Sequence, residues 1–294
     1  GVAQRQGLED LAHVQRGQCD LGRSREEEPV GLERVDIRAV GGEEAGLQLI
    51  AGGAFADGDP LAIIREAAIL LDRVERTNDQ GVAVTVYVNK RKGTASTADL
   101  RQESLAETVA QACAIARFTE ADQASGLADR ELLATEVMDF DLWHPSELPP
   151  EQGIALALET EAAGLQQKNI SNSDGASYGS SRSTAVYGNS HGFMGAERST
   201  NYSISCSLIA GKDSAMQRDY WYSTALAIGS LDAAQDVGLK AAERTLARLN
   251  PRSVKTGQYP VLFTPELARG LIGSFLGAIS GGTLYRQARF LQER

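Results

Sequence analysis

Strict alternation of apolar and polar side chains over residues 200–211 is the feature that most constrains the fold. In the stretch TNYSISCSLIAG, Tyr202, Ile204, Cys206 and Leu208 point to one side, and the serines between them point to the other. A period of two is typical of a β-strand that buries one face. The stretch therefore predicts a half-buried strand with a polar, serine-lined outer side.

A serine- and glycine-rich run, NISNSDGASYGSSRSTAVYGNSHGFMG, precedes this strand over residues 169–195. Such a run is compatible with a disordered linker, with a loop that carries a nucleophile, or with antiparallel sheet built from small side chains. Residues 181–190 alternate, and MQRDYWYSTA (216–225) predicts a third strand. Three consecutive strands with short connections predict an antiparallel meander over 181–225, with 191–199 as a turn. The exposed edges of this meander are candidates for strand addition by a peptide or partner.

Valines at every second position of GVAVTVYV predict a further half-buried strand over residues 81–88. A basic turn at residues 90–93 and a short strand at 93–97 follow. Apolar residues spaced three and four apart, with capping residues or prolines at the ends, predict several helices. These helices cover residues 59–76, 99–118, 150–167 and 232–249.

In the helix predicted over 150–167, Ile154, Leu158, Ala162 and Leu165 share one side. Apolar residues at this spacing favour a side that packs against the rest of the protein.

The C-terminal part predicts a strand at residues 259–263 and then an apolar helix. Thr264, Pro265 and Glu266 open this helix as a cap and first turn. The longest apolar stretch, residues 270–279, is about half the length of a membrane span. The sequence therefore predicts no membrane partner.

Composition narrows the classes of function. The formal net charge of −10 argues against a nucleic-acid partner, because phosphate contacts need a basic surface. Residues 1–30 lack the apolar core of a signal peptide, which predicts a cytoplasmic location. Cys19, Cys113 and Cys206 form no C-x-x-C pair, so they are expected to be reduced thiols that fill small spaces.

The residues that could carry out catalysis form no complete motif. His13, His144 and His191 are the three histidines, and none belongs to an H-E-x-x-H helix. No G-x-S-x-G, S-x-x-K or phosphate-binding loop is present. Ser173, Asp174 and Gly175 are typical of a turn. A self-sufficient hydrolase that uses Ser173 or Ser190 with His191 remains an alternative.

A second set of residues suits binding better than catalysis. Arg218, Asp219 and Tyr220 could form a peptide-binding edge, because arginine and aromatic side chains are good anchors, although a half-buried strand with an alternating aromatic face is the more common explanation. Asn189 and His191 lie in a predicted turn, where His191 is either a turn residue or a substrate contact. We take these five residues as the candidate substrate-binding set.

Four segments together resemble one family. RKGTASTADL, YGNSHGFMG, MQRDYWYS and LGAISGGTLYR look like the TldD/PmbA family, specifically its PmbA (TldE) branch, and the resemblance runs over residues 74–290. The resemblance implies a cytosolic heterodimeric metalloprotease that trims unfolded or modified peptides. TldD-type subunits carry zinc on an H-E-x-x-x-H helix, whereas TldE-type subunits share the fold without the metal site.

A match anchored on Arg286 aligns this chain's GSFLGA with the zinc helix of TldD-type subunits. The two histidines and the glutamate would fall at Gly273, Ala278 and Ser274 respectively. These residues provide neither the nitrogen ligands nor the carboxylate base that zinc hydrolysis needs. The resemblance therefore implies a metal-free, non-catalytic subunit with no cofactor of its own, zinc in a TldD-like partner, and an unfolded peptide as substrate.

The sequence and the resemblance together predict an α+β fold. It consists of N-terminal and middle α+β regions with antiparallel sheet, followed by the truncated start of the family's C-terminal domain. The predicted parts are a poorly readable segment (1–72), the end of the N-terminal domain (73–100), a middle domain (101–252) and the start of the C-terminal domain (253–294). A non-functional truncated product is a further alternative, which aggregation or the lack of a cooperative melting transition would support.

Overall fold

The computed structural model describes residues 79–285 with their side chains and residues 34–42, 48–51 and 71–75 as backbone. His13, Cys19, Arg286 and most of the predicted 59–76 helix lie outside the described residues. The chain divides into two compact units, Gly1–Asn250 and Pro251–Arg294.

The described strands of the first unit form one antiparallel sheet. The sheet order is β3-β2-β6-β1-β4-β5, with β7 on the other side of β6 and β8 beyond β7. The strands are β1 (Arg34–Gly42), β2 (Gln48–Ala51), β3 (Leu71–Glu75), β4 (Asp79–Val88), β5 (Arg91–Thr97), β6 (Ile170–Asn189), β7 (Met194–Ala210) and β8 (Gln217–Ala225). The α+β prediction is confirmed, because helices cover parts of this sheet.

The predicted meander is confirmed, with longer strands than expected. Strands β6 and β7 pair from Ile170 opposite Ala210 to Gly188 opposite Met194. The predicted turn over 191–199 is wrong beyond Phe193, because the residues that follow already pair with β6. Alternation alone missed this part of β7, where Gly195 and several charged residues interrupt the apolar pattern.

The other edge of the long hairpin is not open. Strand β1 pairs with the second half of β6, and β2 joins it at Ala176. The expectation that both edges of the meander are exposed is therefore wrong for β6. Among the described residues, β8 has a strand neighbour on one side alone, so the β8 edge is the one left for strand addition.

Three helices pack on this sheet and match their predictions closely. They are α1 (Gln102–Phe118), α2 (Pro150–Leu165) and α3 (Ala234–Ala247). Helix α1 lies so near β5 that a Cβ on Gly93 would stand 2.0 Å from the Ala112 carbonyl oxygen. Its small residues Ala112 and Ala116 pack against the buried valines of β4.

Helices α2 and α3 cross closely on the inner face of β6, β7 and β8. A Cβ added to Gly238 would lie 2.0 Å from the Thr160 carbonyl oxygen, so only glycine permits this crossing. The buried residues of α2 are Gly153, Ala157, Thr160, Glu161 and Gly164. The most buried side of α2 is therefore not the apolar side that the sequence predicted. Small residues lie at the contact because they let the two helices approach most closely.

Two predicted elements are wrong. Residues 71–75, the end of the predicted 59–76 helix, form strand β3, because pairing with β2 prevails over local helical spacing. Residues 259–263 form no strand, and Leu262 is almost fully exposed.

The second unit contains α4 (Pro265–Ala278) and α5 (Gly281–Tyr285). Thr264 occupies the predicted cap position, although its side chain makes no capping hydrogen bond. Most apolar side chains of α4 are exposed, including Leu271, Phe275 and Leu276. Within residues 79–285, no helix is both long enough and apolar enough to cross a membrane.

Candidate functional site

The outer side of strands β6, β7 and β8 is lined with small polar side chains. Tyr202, Ile204 and Leu208 of β7 are buried in the core beneath helices α2 and α3. Successive side chains of a strand point to opposite sides, so the residues between them face outward. The ladder places serine beside serine across β6 and β7. We call this surface the hydroxyl face, and its small residues are Ser177, Gly179, Ser181, Ser183, Ser199, Ser203, Ser205 and Ser207.

Two pairs of hydroxyl groups hydrogen-bond across the hydroxyl face. The oxygens of Ser177 and Ser205 are 2.8 Å apart, as are those of Ser183 and Ser199. A hydroxyl has one donor hydrogen and two acceptor lone pairs, so each pair retains capacity for a further partner. The face can therefore donate to and accept from a polar ligand such as an extended peptide backbone.

A shallow groove of about 360 Å³ opens at one end of the hydroxyl face. Its polar and aromatic lining comprises Asp174, Ser177, Ser205, Ser207, Arg218 and Tyr220. The Arg218 Nη1 atom lies 2.8 Å from Asp174 Oδ2, and both side chains remain substantially exposed. Tyr220 stacks on Tyr222 with ring centroids 6.3 Å apart. The groove thus combines an ion pair, hydroxyls and an exposed aromatic ring.

Asp174 reaches this groove through an irregularity in β6. Ser173 pairs with Leu208 and Gly175 pairs with Ser207, so Asp174 is an extra residue in the ladder. Gly175 has a φ of 108°, which favours glycine. The Ser-Asp-Gly stretch is therefore a β-bulge inside a strand, and its prediction as a turn is wrong.

The predicted trio on β8 is divided between two sides of the sheet. Arg218 and Tyr220 face the groove, whereas Asp219 points toward helix α3. The Asp219 carboxylate lies 3.2 Å from Arg248 Nη1 and 3.7 Å from Arg244 Nε. Asp219 therefore ties β8 to α3, and a ligand on the hydroxyl face would meet Arg218 and Tyr220 instead.

His191 lies in the turn between β6 and β7, as predicted, and Asn189 is the last residue of β6, where this turn begins. The buried Asn189 side chain accepts hydrogen bonds from the backbone N–H groups of His191 and Phe193 and donates to the Tyr187 hydroxyl. Through these hydrogen bonds the Asn189 side chain stabilises the turn. The His191 Nδ1 atom is buried and has no hydrogen-bond partner among the described residues.

The structure does not bring Ser173 and His191 together. Ser173 lies near the start of β6, and His191 follows its far end. Ser190 is adjacent to His191, but the imidazole Nδ1 lacks the orienting acceptor that nucleophilic triads use. The geometry of the described residues therefore offers no complete nucleophile and base.

The three positions aligned with the zinc helix fall on α4. Gly273 and Ala278 carry no donor atom, and the Ser274 hydroxyl donates back to the Gly270 carbonyl oxygen within the helix. This donor set does not fit a zinc ion, which prefers histidine, cysteine and carboxylate ligands. Elsewhere in residues 79–285, no group of three or more potential ligands is placed to hold a metal.

A buried carboxyl lies on the inner side of the same sheet. Burial raises the pKa of Glu161 to about 7, although the nearby Ser173 side chain opposes part of this rise. Burial, and secondarily the Glu161 charge, raises the pKa of Cys206 to about 12. Cys206 and Cys113 are buried and in no disulfide, as expected. No sequence pattern singles out Glu161, because its neighbours on α2 follow an ordinary helical pattern.

Comparison with known proteins assigns this architecture to a family. A sequence model of the PmbA/TldA metallopeptidase central domain matches residues 143–249, and one of PmbA/TldA metallopeptidase domain 1 matches residues 71–116. The chain is 41% identical over 253 residues to Metalloprotease PmbA of Escherichia coli O157:H7, an alignment that covers 83% of this chain and 56% of that protein. The chain belongs to the PmbA/TldD family.

A second relative agrees with this assignment. The Metalloprotease PmbA homolog of Haemophilus influenzae is 40% identical over 222 residues, which cover 75% of this PmbA/TldD-family chain and 49% of the relative. The chain thus spans about half the length of the curated relatives it matches.

Two solved structures share the PmbA/TldD fold. A protein from Bacteroides thetaiotaomicron, named as a candidate modulator of DNA gyrase, superposes with a TM-score of 0.74 at 23% identity, covering 90% of this chain and 57% of that one. TldE from Thermococcus kodakarensis superposes with a TM-score of 0.57 at 14% identity, covering 82% of this chain and 47% of that one. At these identities the likeness concerns the fold.

Proposed function

We propose that this chain is a non-catalytic, metal-free subunit of a PmbA/TldD-type metallopeptidase. In this proposal it acts in the cytoplasm, pairs with a TldD-like zinc-bearing subunit, and holds unfolded or modified peptides for that subunit to cleave. It belongs to the TldE branch, contains no cofactor, and binds neither nucleic acid nor membrane.

The observation that supports the proposal is the contrast between a surface suited to binding and an incomplete set of catalytic groups among the described residues. The hydroxyl face and its groove offer donors, acceptors and an aromatic ring to an extended chain. The residues aligned with the zinc helix, Gly273, Ser274 and Ala278, supply no ligand set. Binding without hydrolysis is the activity that fits both features.

Peptide binding on this surface has a clear chemical basis. An extended backbone presents alternating N–H and C=O groups, and serine hydroxyls can bond to either. Small side chains let the peptide approach the sheet closely, while Tyr220 provides an apolar anchor beside it. The peptide could also be held by adding as a strand to the β8 edge, which is a second arrangement for binding an extended chain.

The proposal is tested by expressing the chain with and without a TldD-like subunit. We expect the two proteins to co-purify, zinc to reside in the TldD-like subunit, and cleavage of an unfolded peptide to require both. Stoichiometric zinc in the isolated chain together with peptide cleavage would overturn the proposal.

The same preparation distinguishes the proposed function from the hydrolase alternative. If the isolated chain cleaves peptides and His191→Ala abolishes that turnover, a serine and histidine site explains the activity. We expect no turnover by the isolated chain before or after this substitution. A Ser190→Ala variant should abolish the same turnover if Ser190 is the nucleophile of that site.

A further inference from the structure

Strand β8 presents a row of backbone groups at the edge of the sheet, since β7 is its one strand neighbour among the described residues. In the turn before β7, the Asn189 N–H donates to the Phe193 carbonyl oxygen at 3.0 Å, so the odd-numbered residues that follow bond to β6 and the even-numbered ones to β8. Leu208 lies opposite Asp219 in this ladder. Asp219 therefore directs its backbone groups to β7, whereas the residues before and after it face the open edge.

The central donor of this open edge is already occupied. Arg218, Tyr220 and Tyr222 direct their backbone groups away from β7. The Tyr220 N–H donates to the Asp219 Oδ1 atom at 2.8 Å. No backbone partner in the described part of the chain occupies the N–H of Arg218 or Tyr222. The Asp219 carboxylate thus separates two open donors by a closed one.

Two arginines of α3 hold the carboxylate in this place. Arg248 Nη1 lies 3.2 Å from Asp219 Oδ2, and Arg244 Nε lies 3.7 Å from Oδ1. The Arg244 guanidinium also lies over the Trp221 ring, 5.0 Å from its centroid, which fixes this arginine against the sheet. The Asp219 side chain is 10% exposed. Because both carboxylate oxygens have a partner, the side chain is not free to turn away from the Tyr220 N–H.

This arrangement opposes the addition of a strand at β8. An added strand bonds to both the N–H and the C=O of alternate edge residues. At Tyr220 its carbonyl oxygen would compete with the carboxylate for one N–H, and its partial negative charge would lie beside that of Asp219. Charged side chains at a sheet edge prevent pairing in this way. The β8 edge is therefore interrupted at its centre.

We propose that Asp219 is a positioning residue, which occupies the Tyr220 N–H, closes the β8 edge to a further strand, and so leaves the hydroxyl face as the surface that holds an extended peptide. The same closure keeps copies of this chain from pairing through β8. The location of the peptide rests on the proposed function, whereas the closure of the edge does not.

Hydrogen exchange of three amides, measured by NMR on the full chain, tests the closure. Protection factors are compared, because they correct for the effect of the local sequence. In the wild type we expect the Tyr220 amide to be about tenfold better protected than those of Arg218 and Tyr222, the factor that one additional hydrogen bond gives. In Asp219→Ala the Tyr220 amide loses its acceptor, and its protection should fall to the level of the other two.

Two matched variants separate the hydrogen bond from charge and from general destabilisation. Asp219→Asn keeps a side-chain oxygen that can accept from Tyr220, so protection should stay within about threefold of the wild type. Asp236→Ala removes an exposed carboxylate from α3 and should leave Tyr220 unchanged. A merely structural role of Asp219 would instead lower the protection of all three amides alike in Asp219→Ala.

Two outcomes overturn the closure. The first is a Tyr220 amide that is no better protected than its two edge neighbours in the wild type, a result that depends on no variant. The second is unchanged Tyr220 protection in Asp219→Ala. If Asp219→Ala does not fold, Arg248→Ala replaces it. This variant removes a guanidinium that holds the carboxylate, and we expect about threefold lower protection of the Tyr220 amide alone.

Sedimentation velocity tests the consequence for pairing between copies. With the edge opened, Asp219→Ala should form larger species as the protein concentration rises, whereas Asp236→Ala should sediment as the wild type does. Equal sedimentation of the two variants at every concentration would contradict the statement that Asp219 prevents pairing through β8.

An unstructured fluorescent peptide distinguishes the closure from the proposed function. With this peptide bound to the wild type, we expect the protection of the Arg218 and Tyr222 amides to stay within about twofold of the free chain, because the hydroxyl face holds the peptide through side chains. A rise of about tenfold would indicate strand addition and overturn the closure, while the proposed function would stand. If no peptide binds, the proposed function fails, and exchange in the free chain still decides whether Asp219 closes the edge.

Discussion

The two sides of strands β6, β7 and β8 share one backbone and differ in almost every other respect. On the inner side, Tyr178, Tyr202 and Leu208 are fully buried against helices α2 and α3. On the outer side, the neighbouring residues are serines and glycines that leave the surface open. Burial of apolar area on the inner side supplies stability, so the outer side is free to carry a binding surface. The substitutions below test that division.

Gly238→Ala should have the largest effect, because it separates the two helices that cover the inner side. The new methyl carbon would stand 2.0 Å from the Thr160 carbonyl oxygen, which forces a helix to move. We expect a loss of about 3 kcal/mol or more in the free energy of unfolding, measured by urea denaturation. Gly229→Ala, where a Cβ meets nothing within 4 Å, is the control and should change little.

Leu208→Ala and Ser207→Ala compare the two sides at adjacent positions of β7. Leu208 is fully buried, and its truncation should reduce the free energy of unfolding by about 2–5 kcal/mol through a lost apolar contact and a cavity. Ser207 faces the groove, and its truncation should cost less than about 1 kcal/mol. Similar losses at both positions in denaturant titrations would contradict the division into a stabilising side and a binding side.

Glu161 introduces a pH dependence on the inner side. Its pKa rises from 4.5 to about 7 on folding, so the folded chain binds more protons than the unfolded chain between these values. The free energy of unfolding should therefore fall by about 3 kcal/mol as the pH rises from about 4.5 to 7, and stay level above that.

Glu161→Gln should remove this slope and leave the protein more stable than the wild type at pH 8. Thermal melts over pH 4 to 8 provide the measurement. Glu159→Gln, an exposed position on the same helix, should keep the wild-type slope. A wild-type slope in Glu161→Gln would assign the pH dependence to other groups.

Tyr220→Ala should have the smallest effect on stability and a clear effect on binding. More than half of this side chain is exposed in the groove, so we expect a change of less than about 0.5 kcal/mol in the free energy of unfolding. Loss of an aromatic anchor should lower the affinity for an extended peptide about tenfold, which fluorescence anisotropy can measure. Tyr259→Ala removes an equally exposed tyrosine from the second unit and should leave affinity unchanged.

Local patterns predicted most elements of the fold. The alternation in β4 and β7 reflects burial on one side of a strand, and the three- and four-residue spacing in α1 and α3 reflects burial on one side of a helix. Both patterns are properties of neighbouring residues, so they can be recognised without the rest of the chain. One of the two exceptions, at residues 71–75, arose because a distant strand, β2, supplies their hydrogen bonds.

The residues of the candidate site were harder to predict from the sequence than the helices and strands. Arg218 and Tyr220 were found by their residue type, and both face the groove. Asp219 was grouped with them, although strand alternation alone argues that adjacent residues face opposite sides. An Asp-Gly pair inside a serine-rich strand could have suggested the bulge at Asp174, because glycine in a strand often marks one.

The sequence by itself determined strands β4–β8, helices α1–α4 and the family, because each depends on residues that lie close together or on motifs in a fixed order. It also determined that Gly273, Ser274 and Ala278 supply no ligand set for zinc. Only the tertiary structure decided that Glu161 is buried, that Asp219 joins β8 to α3, and that Asp174 meets Arg218. These contacts connect residues up to 44 positions apart, and no local pattern encodes which of them meet across a sheet.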